Sequence, residues 1–262
     1  MIRNKPSIKE LAESIALEYE GKITPLNSIL DDEGLTVFYD SYGKNTFDGM
    51  TFYDNGRFYI HINTDLGNKP ESARGRFTLA HELGHYYIDS HRIGLKKGLL
   101  EPHPSRTNQK QFNQIEREAD FFASCLLMPQ ERFLKDINRK TFSIELIDYL
   151  KDEYKVSRTA SAFRFADIGN HDIMIVYGEN GQVKWKHCSE HFPYKYLLYE
   201  NKVAPNSVMG EYYQNIKDSL FKKEEIWAVD IFNYVKNDDV QRKFFEHCIT
   251  YKGKALSIIW EE

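Results

Sequence analysis

His81-Glu82-Leu83-Gly84-His85 constrains this chain more than any other stretch, because its three polar side chains act together only on a helix. Residues four apart share a helix face, so His81 and His85 can close on one metal ion. Glu82 projects to the flank of that face, where it can take a proton from a metal-bound water. Phe77-Thr78-Leu79-Ala80 leads in and Tyr86-Tyr87-Ile88 leads out, an unbroken run without proline. The bland alternative is a pair of histidines on an ordinary helix. Burying two imidazoles and a carboxylate side by side without a cation leaves several polar groups to satisfy, which argues against it.

A catalytic zinc site takes three protein ligands and leaves a fourth position open. The best third donor is Glu116, in Glu116-Arg117-Glu118-Ala119-Asp120. Ile115, Ala119, Phe122, Ala123 and Leu126 mark the buried stripe of its helix, and Glu116 shares a flank with Ala123 and Leu127. A carboxylate pressed toward the interior there needs a cation. Asp120, one turn on, can accept the free N–H of a ligating histidine. Glu118, at the other edge of the stripe, is the second choice of ligand. Asp89 reads three ways: an acceptor for a ligand's N–H, a spare ligand or a surface carboxylate. His91, His103, His171, His187, His191 and His247 show no ligand spacing among themselves. Any of them, or a tyrosine, is a candidate donor to a developing oxyanion.

The rest of the chain is read for what surrounds this motif. Its 262 residues suffice for one large domain or two modest ones. A net charge of −4 gives no global attraction for nucleic-acid phosphates. Cys125, Cys188 and Cys248 lack C-x-x-C spacing, so neither a disulfide framework nor a cysteine zinc site is expected. With no signal-like apolar start and no membrane-length apolar run, the expectation is a reduced, soluble, cytoplasmic protein.

Ser7-Ile8-Lys9-Glu10 reads as a capping box opening a helix that stops at Gly21. Strands are expected at 35–39, 47–53 and 57–62, the last two joined by Asp54-Asn55-Gly56. A polar loop over 63–72 precedes the motif helix, and 94–110 reads as a loop before a helix over about 112–127 that stops at Pro129. Two or three short helices follow over 131–168. Phe142–Tyr154 and the segment from Ser157 resemble a helix-turn-helix, Ser157 capping the second helix. From Arg132 to Arg164 there are eight basic against five acidic residues, a net of +3 that suits either DNA contact or a packing element. Past the candidate boundary at Gly169-Asn170, a second hairpin turns at Asn180-Gly181, and Ala255–Trp260 closes the chain. Strands and aromatic content suggest a small α+β accessory domain there, recognising substrate or sensing a signal.

Arg76-Phe77-Thr78-Leu79-Ala80-His81-Glu82-Leu83-Gly84-His85, followed some thirty residues later by Glu116-x-x-Ala119-Asp120-x-Phe122-Ala123-x-x-Leu126-Leu127-Met128-Pro129, resembles the ImmA/IrrE family of zinc metallopeptidases. The resemblance covers about residues 5–168. It implies an α+β fold in which residues 1–168 form a zincin-like domain, a small antiparallel sheet plus active-site helices, with 131–168 helical; residues 169–262 are left as the accessory α+β domain read from their strands and aromatic content. It implies that His81, His85 and Glu116 bind zinc, gluzincin-like, and that Glu82 is the general base. It implies intracellular cleavage of a helix-turn-helix repressor, derepressing mobile-element or stress genes; nucleic acid and membrane are not expected as partners on the charge and hydropathy grounds above. Within the family the basic helical segment is favoured as packing. Two positions depart from the pattern: Asp89 stands where many members carry a third histidine, and Asp120 where an asparagine is common. The rival readings are a non-cleaving, zinc-containing regulator that binds its repressor, and a DNA-binding regulator using residues 143–166. The sequence assigns no oligomeric state.

Overall fold

The structure is a computed structural model that describes residues 2, 4–100, 114–215 and 221–261. The chain divides into two compact units, one of residues 1–136 and 149–160, the other of 137–148 and 161–262. The division runs through two helices, α7 (Ile144–Tyr154) and α8 (Arg158–Ile168).

In the first unit, α1 (Lys5–Leu17) buries Ile8, Ala12, Ile15 and Ala16, the one-face spacing of an amphipathic helix. It begins earlier than the Ser7 capping box requires, with Asn4 as N-cap and Pro6 in the first turn. Proline needs no N–H there and presets the helical φ, so Ser7 falls inside the helix. It also ends at Leu17, well before Gly21. A short α2 (Leu26–Glu33), absent from the sequence reading, buries Leu26, Ile29 and Leu30.

Three strands follow, β1 (Thr36–Asp40), β2 (Gly49–Asp54) and β3 (Arg57–Asn63), in the order β1-β3-β2. The β2–β3 turn has Asn55 and Gly56 both at positive φ (46° and 85°), the mirror-image turn that suits strand twist. The expected antiparallel sheet is mixed instead: β2 pairs antiparallel with β3, but β1 runs parallel to it. The chain passes from one edge of β3 to the other between β1 and β2. Ile60 and Ile62 are fully buried on the inner face.

Ser72 caps the next helix, α3 (Ala73–Tyr87), its Oγ accepting from Gly75 N at 3.0 Å. Nearly every residue from Gly75 to Tyr86 is buried, so α3 is enclosed on all sides. Ile88 leaves the helix (φ −70°, ψ 113°) and α4 (Asp89–Lys96) begins anew. The expected loop from 94 therefore starts inside a helix, and the rest of it, from 101, lies outside the described residues. Helix α5 (Gln114–Leu127) packs against both α3 and α1, and α6 (Gln130–Ile137) follows Pro129. With α7 and α8 the region has three helices after Pro129.

The second unit is built on an antiparallel sheet of β4 (Ile173–Glu179), β5 (Gln182–Cys188), β6 (Phe221–Trp227), β7 (Lys243–Tyr251) and β8 (Lys254–Trp260), ordered β5-β4-β8-β7-β6. Met174, Val176, Phe244 and Ile259 face a core shared with α9 (Val208–Gln214) and α10 (Ala228–Ile231). Trp260 instead meets Phe142, ring centroids 5.1 Å apart. Ser157 caps α8 as expected, its Oγ accepting from Ala160 N at 3.1 Å. Yet Ser161, Ala162, Arg164, Phe165 and Ala166 of α8 are buried, so the helix that would read DNA has little surface to offer.

At Gly84 α3 lies tight against α5: an added Cβ would lie 3.1 Å from Ala119 Cα and 3.2 Å from Phe122 Cδ1. Gly84→Val should therefore overpack this contact and cost about 1–3 kcal/mol, read as a lower Tm. An unchanged Tm would contradict the tight contact.

Candidate metal centre

The α3–α5 contact places side chains from both helices around one point. His81 Nε2 and His85 Nε2 are 3.1 Å apart. Glu116 Oε2 lies 3.3 Å from His81 Nε2, and Glu116 Oε1 lies 3.3 Å from His85 Nε2. One donor atom from each residue falls within 4.8 Å of the others. Tetrahedral bonds of about 2.0–2.1 Å to zinc space neighbouring ligand atoms about 3.3 Å apart. The three side chains thus sit at separations suited to such an ion.

His81 Nδ1 donates to Asp120 Oδ1 at 2.8 Å, the role the sequence reading gave Asp120. That bond leaves the lone pair of the neutral ring on Nε2, facing His85. Two imidazole lone pairs at 3.1 Å repel unless a proton or a metal cation lies between them. Burial pushes the His81 pKa down, but the bonds to Asp120 and Glu116 and the charges of Asp120 and Glu82 outweigh it and hold the pKa well above its ordinary value. A nest of this kind seeks positive charge, and a divalent cation supplies it. The donor set fits a metal.

Glu82 is fully buried. Thr51 Oγ1 on β2 lies 2.7 Å from its Oε2, and Gly49 lies against the same side chain. A hydrogen-bonded chain secures this strand: Thr78 donates to Asn68, Asn68 to Asp48 Oδ1 at 2.9 Å, and Arg74 to the same oxygen at 2.7 Å.

The remaining candidates fall elsewhere. Glu118 is buried on another flank of α5, where Gln114 donates to Oε1 at 2.6 Å and His91 lies 3.1 Å from Oε2. His91 is 1% exposed, and its ring lies 5.1 Å from that of His85. In sequence His91 is only one of six histidines offered as oxyanion donors, because the break at Ile88 brings it back to the site and no helical spacing foretells that break. The same break leaves Asp89 exposed in the first turn of α4. Thr51 was missed. Its alternation with Gly49 puts both on one strand face, but nothing in sequence names the helix they meet.

The profile of the IrrE N-terminal-like domain of the M78 peptidases matches residues 30–166. Among curated proteins no relative matches. Among solved structures the chain is similar to a Mycobacterium tuberculosis transcriptional regulator, with a TM-score of 0.63 at 13% identity, covering 97% of this chain and 76% of that one. At that identity the likeness shows a shared fold.

A raised His81 pKa means that protonation stabilises the metal-free fold, a contribution present below the ordinary histidine pKa and lost as pH rises through the folded value. Metal needs the neutral ring, so its binding strengthens as that proton leaves. The gain in Tm on adding zinc should therefore be larger at about pH 8 than at about pH 5.5, on either side of the ordinary value. Equal gains at both would contradict the assignment of His81.

Proposed function

The chain belongs to the family of IrrE N-terminal-like domains, a peptidase family, and from that premise we propose that it is a zinc-dependent peptidase of the gluzincin type. The observation that carries the proposal is the convergence of His81, His85 and Glu116 donor atoms beside the buried carboxylate of Glu82. His81 Nε2, His85 Nε2 and a Glu116 oxygen would hold the ion. Zinc, when bound, supplies a Lewis acid that polarises a carbonyl and brings the pKa of a coordinated water toward neutrality.

The chain's own residues do the rest. Asp120 keeps His81 in the tautomer whose Nε2 can act as a donor atom. Glu82 is the general base that accepts the proton of the attacking water, then delivers it to the leaving amine. Burial keeps bulk water from that carboxylate. Among the described residues β2 pairs only with β3, and its outer edge can take an extended peptide as an added strand.

We take the substrate to be a helix-turn-helix repressor, on the strength of the ImmA/IrrE resemblance, and the setting to be the cytoplasm, in keeping with three free cysteines. The buried face of α8 favours protein over DNA as its partner. Residues 169–262 are proposed as an accessory domain that recognises the substrate or senses a signal. No helix among the described residues is long and apolar enough to cross a membrane.

The experiment is cleavage of helix-turn-helix repressors from the same genome, with metal content measured beside it. Glu82→Gln should keep one zinc and lose cleavage, while His81→Ala and Glu116→Ala should lose the zinc. Glu116→Ala with full zinc would overturn the ligand assignment, and Glu82→Gln that cleaves normally would overturn the base.

A further inference from the structure

We propose that Thr51 is a positioning residue, whose hydroxyl fixes the rotamer of Glu82 and so the direction in which that carboxylate meets its proton donor. The inference rests on the reading of Glu82 as general base. Its geometry is independent of the metal.

Thr51 Oγ1 lies 2.7 Å from Glu82 Oε2 and 3.0 Å from the Glu82 carbonyl oxygen. A hydroxyl has one proton to give. The carbonyl sits in a helix interior, where the amide four residues on already faces it, so the carboxylate is the better acceptor. Threonine is stiff at χ1, so the hydroxyl is a fixed point rather than a mobile one. Gly49, two residues earlier on the same strand face, holds the other side. A Cβ there would fall 2.5 Å from Glu82 Oε1, 2.8 Å from Glu82 Cγ and 2.8 Å from Thr78 Cγ2. One carboxylate oxygen is thus held by a hydroxyl, and the other rests over a bare Cα. The pairings Gly49↔Ile62 and Thr51↔Ile60 lock both positions to β3. A one-residue slip of that register would turn Thr51 away and bring Met50 or Phe52 toward Glu82. The hairpin is therefore the template against which the base is set. Glutamate has rotatable bonds enough to leave this pose, and the Thr51 hydroxyl ties one of its oxygens to the strand.

The test compares zinc-loaded wild type, Thr51→Val, Thr51→Ser and Glu82→Gln, with acetohydroxamate as probe. This small chelator gives up a hydroxyl proton when it binds a metal, and a carboxylate beside the metal receives it. Zinc content, the Kd for acetohydroxamate and the crystallographic position of the Glu82 carboxylate are measured for each. All four should hold one zinc. Thr51→Val, which keeps the shape but not the hydroxyl, should weaken the probe about tenfold, equal to about 1.4 kcal/mol, with the Glu82 carboxylate turned away. Thr51→Ser should restore both the affinity and the pose. Thr51→Val that binds the probe like wild type with Glu82 unmoved overturns the proposal, as does Thr51→Ser that is no better than Thr51→Val. A wild type without zinc, or Glu82→Gln that binds the probe unchanged, overturns the reading of Glu82 and with it the role of Thr51. Those outcomes are distinct from a failure at Thr51 alone.

Discussion

The separation of α3 and α5 at Gly84 and Ala119 governs everything at this centre. No single segment of the chain holds all three donors. The histidines come from one helix and Glu116 from the other, and they reach one point because a glycine meets an alanine where the axes approach. A side chain at position 84 would hold the helices apart and lengthen the 3.3 Å distances from the histidines to Glu116. The fourth position of H-E-x-x-H is thus a packing residue inside a chemical motif. Its smallness matters as much as the imidazoles that flank it.

Around that contact the core accepts an unusual load of polar groups. Glu82, His91 and Glu118 are buried together with His81 and His85. Each would be costly alone. Pairing meets part of the demand: Asp120 accepts a hydrogen bond from His81, Glu118 faces His91, and Thr51 donates a hydrogen bond to Glu82. The two Nε2 atoms facing each other at 3.1 Å call for a proton or a metal cation between them. If this cluster holds the proposed ion, its binding and folding are linked in this unit, since the three donors are assembled only in the folded chain.

The parts of this arrangement that were legible in sequence are those set by local geometry. His81, Glu82 and His85 follow from helical periodicity, as do Glu116 and Asp120 once α5 is recognised. Asn55-Gly56 and Asn180-Gly181 announced their turns because both residues adopt positive φ, which these residue types tolerate. The turn at Lys252-Gly253 has the same conformation but half the signal, since lysine does not announce a left-handed residue. What stayed hidden depends on contacts between distant segments. The parallel pairing of β1 with β3 is a matter of topology, not of any residue in either strand. Thr51 needs the sheet laid against α3, and His91 needs the chain to break at Ile88 and fold back. Ser7 shows the opposite failure, a correct local motif overridden by Pro6 one residue before it.

The central claim is that three side chains from two helices form one metal site. Anomalous diffraction at the zinc edge, on crystals of the zinc-loaded protein, tests it most directly. The account predicts a single strong peak about 2.0–2.2 Å from His81 Nε2, His85 Nε2 and a Glu116 oxygen. A peak held instead by Glu118 or Asp89, or no peak between α3 and α5, would contradict it.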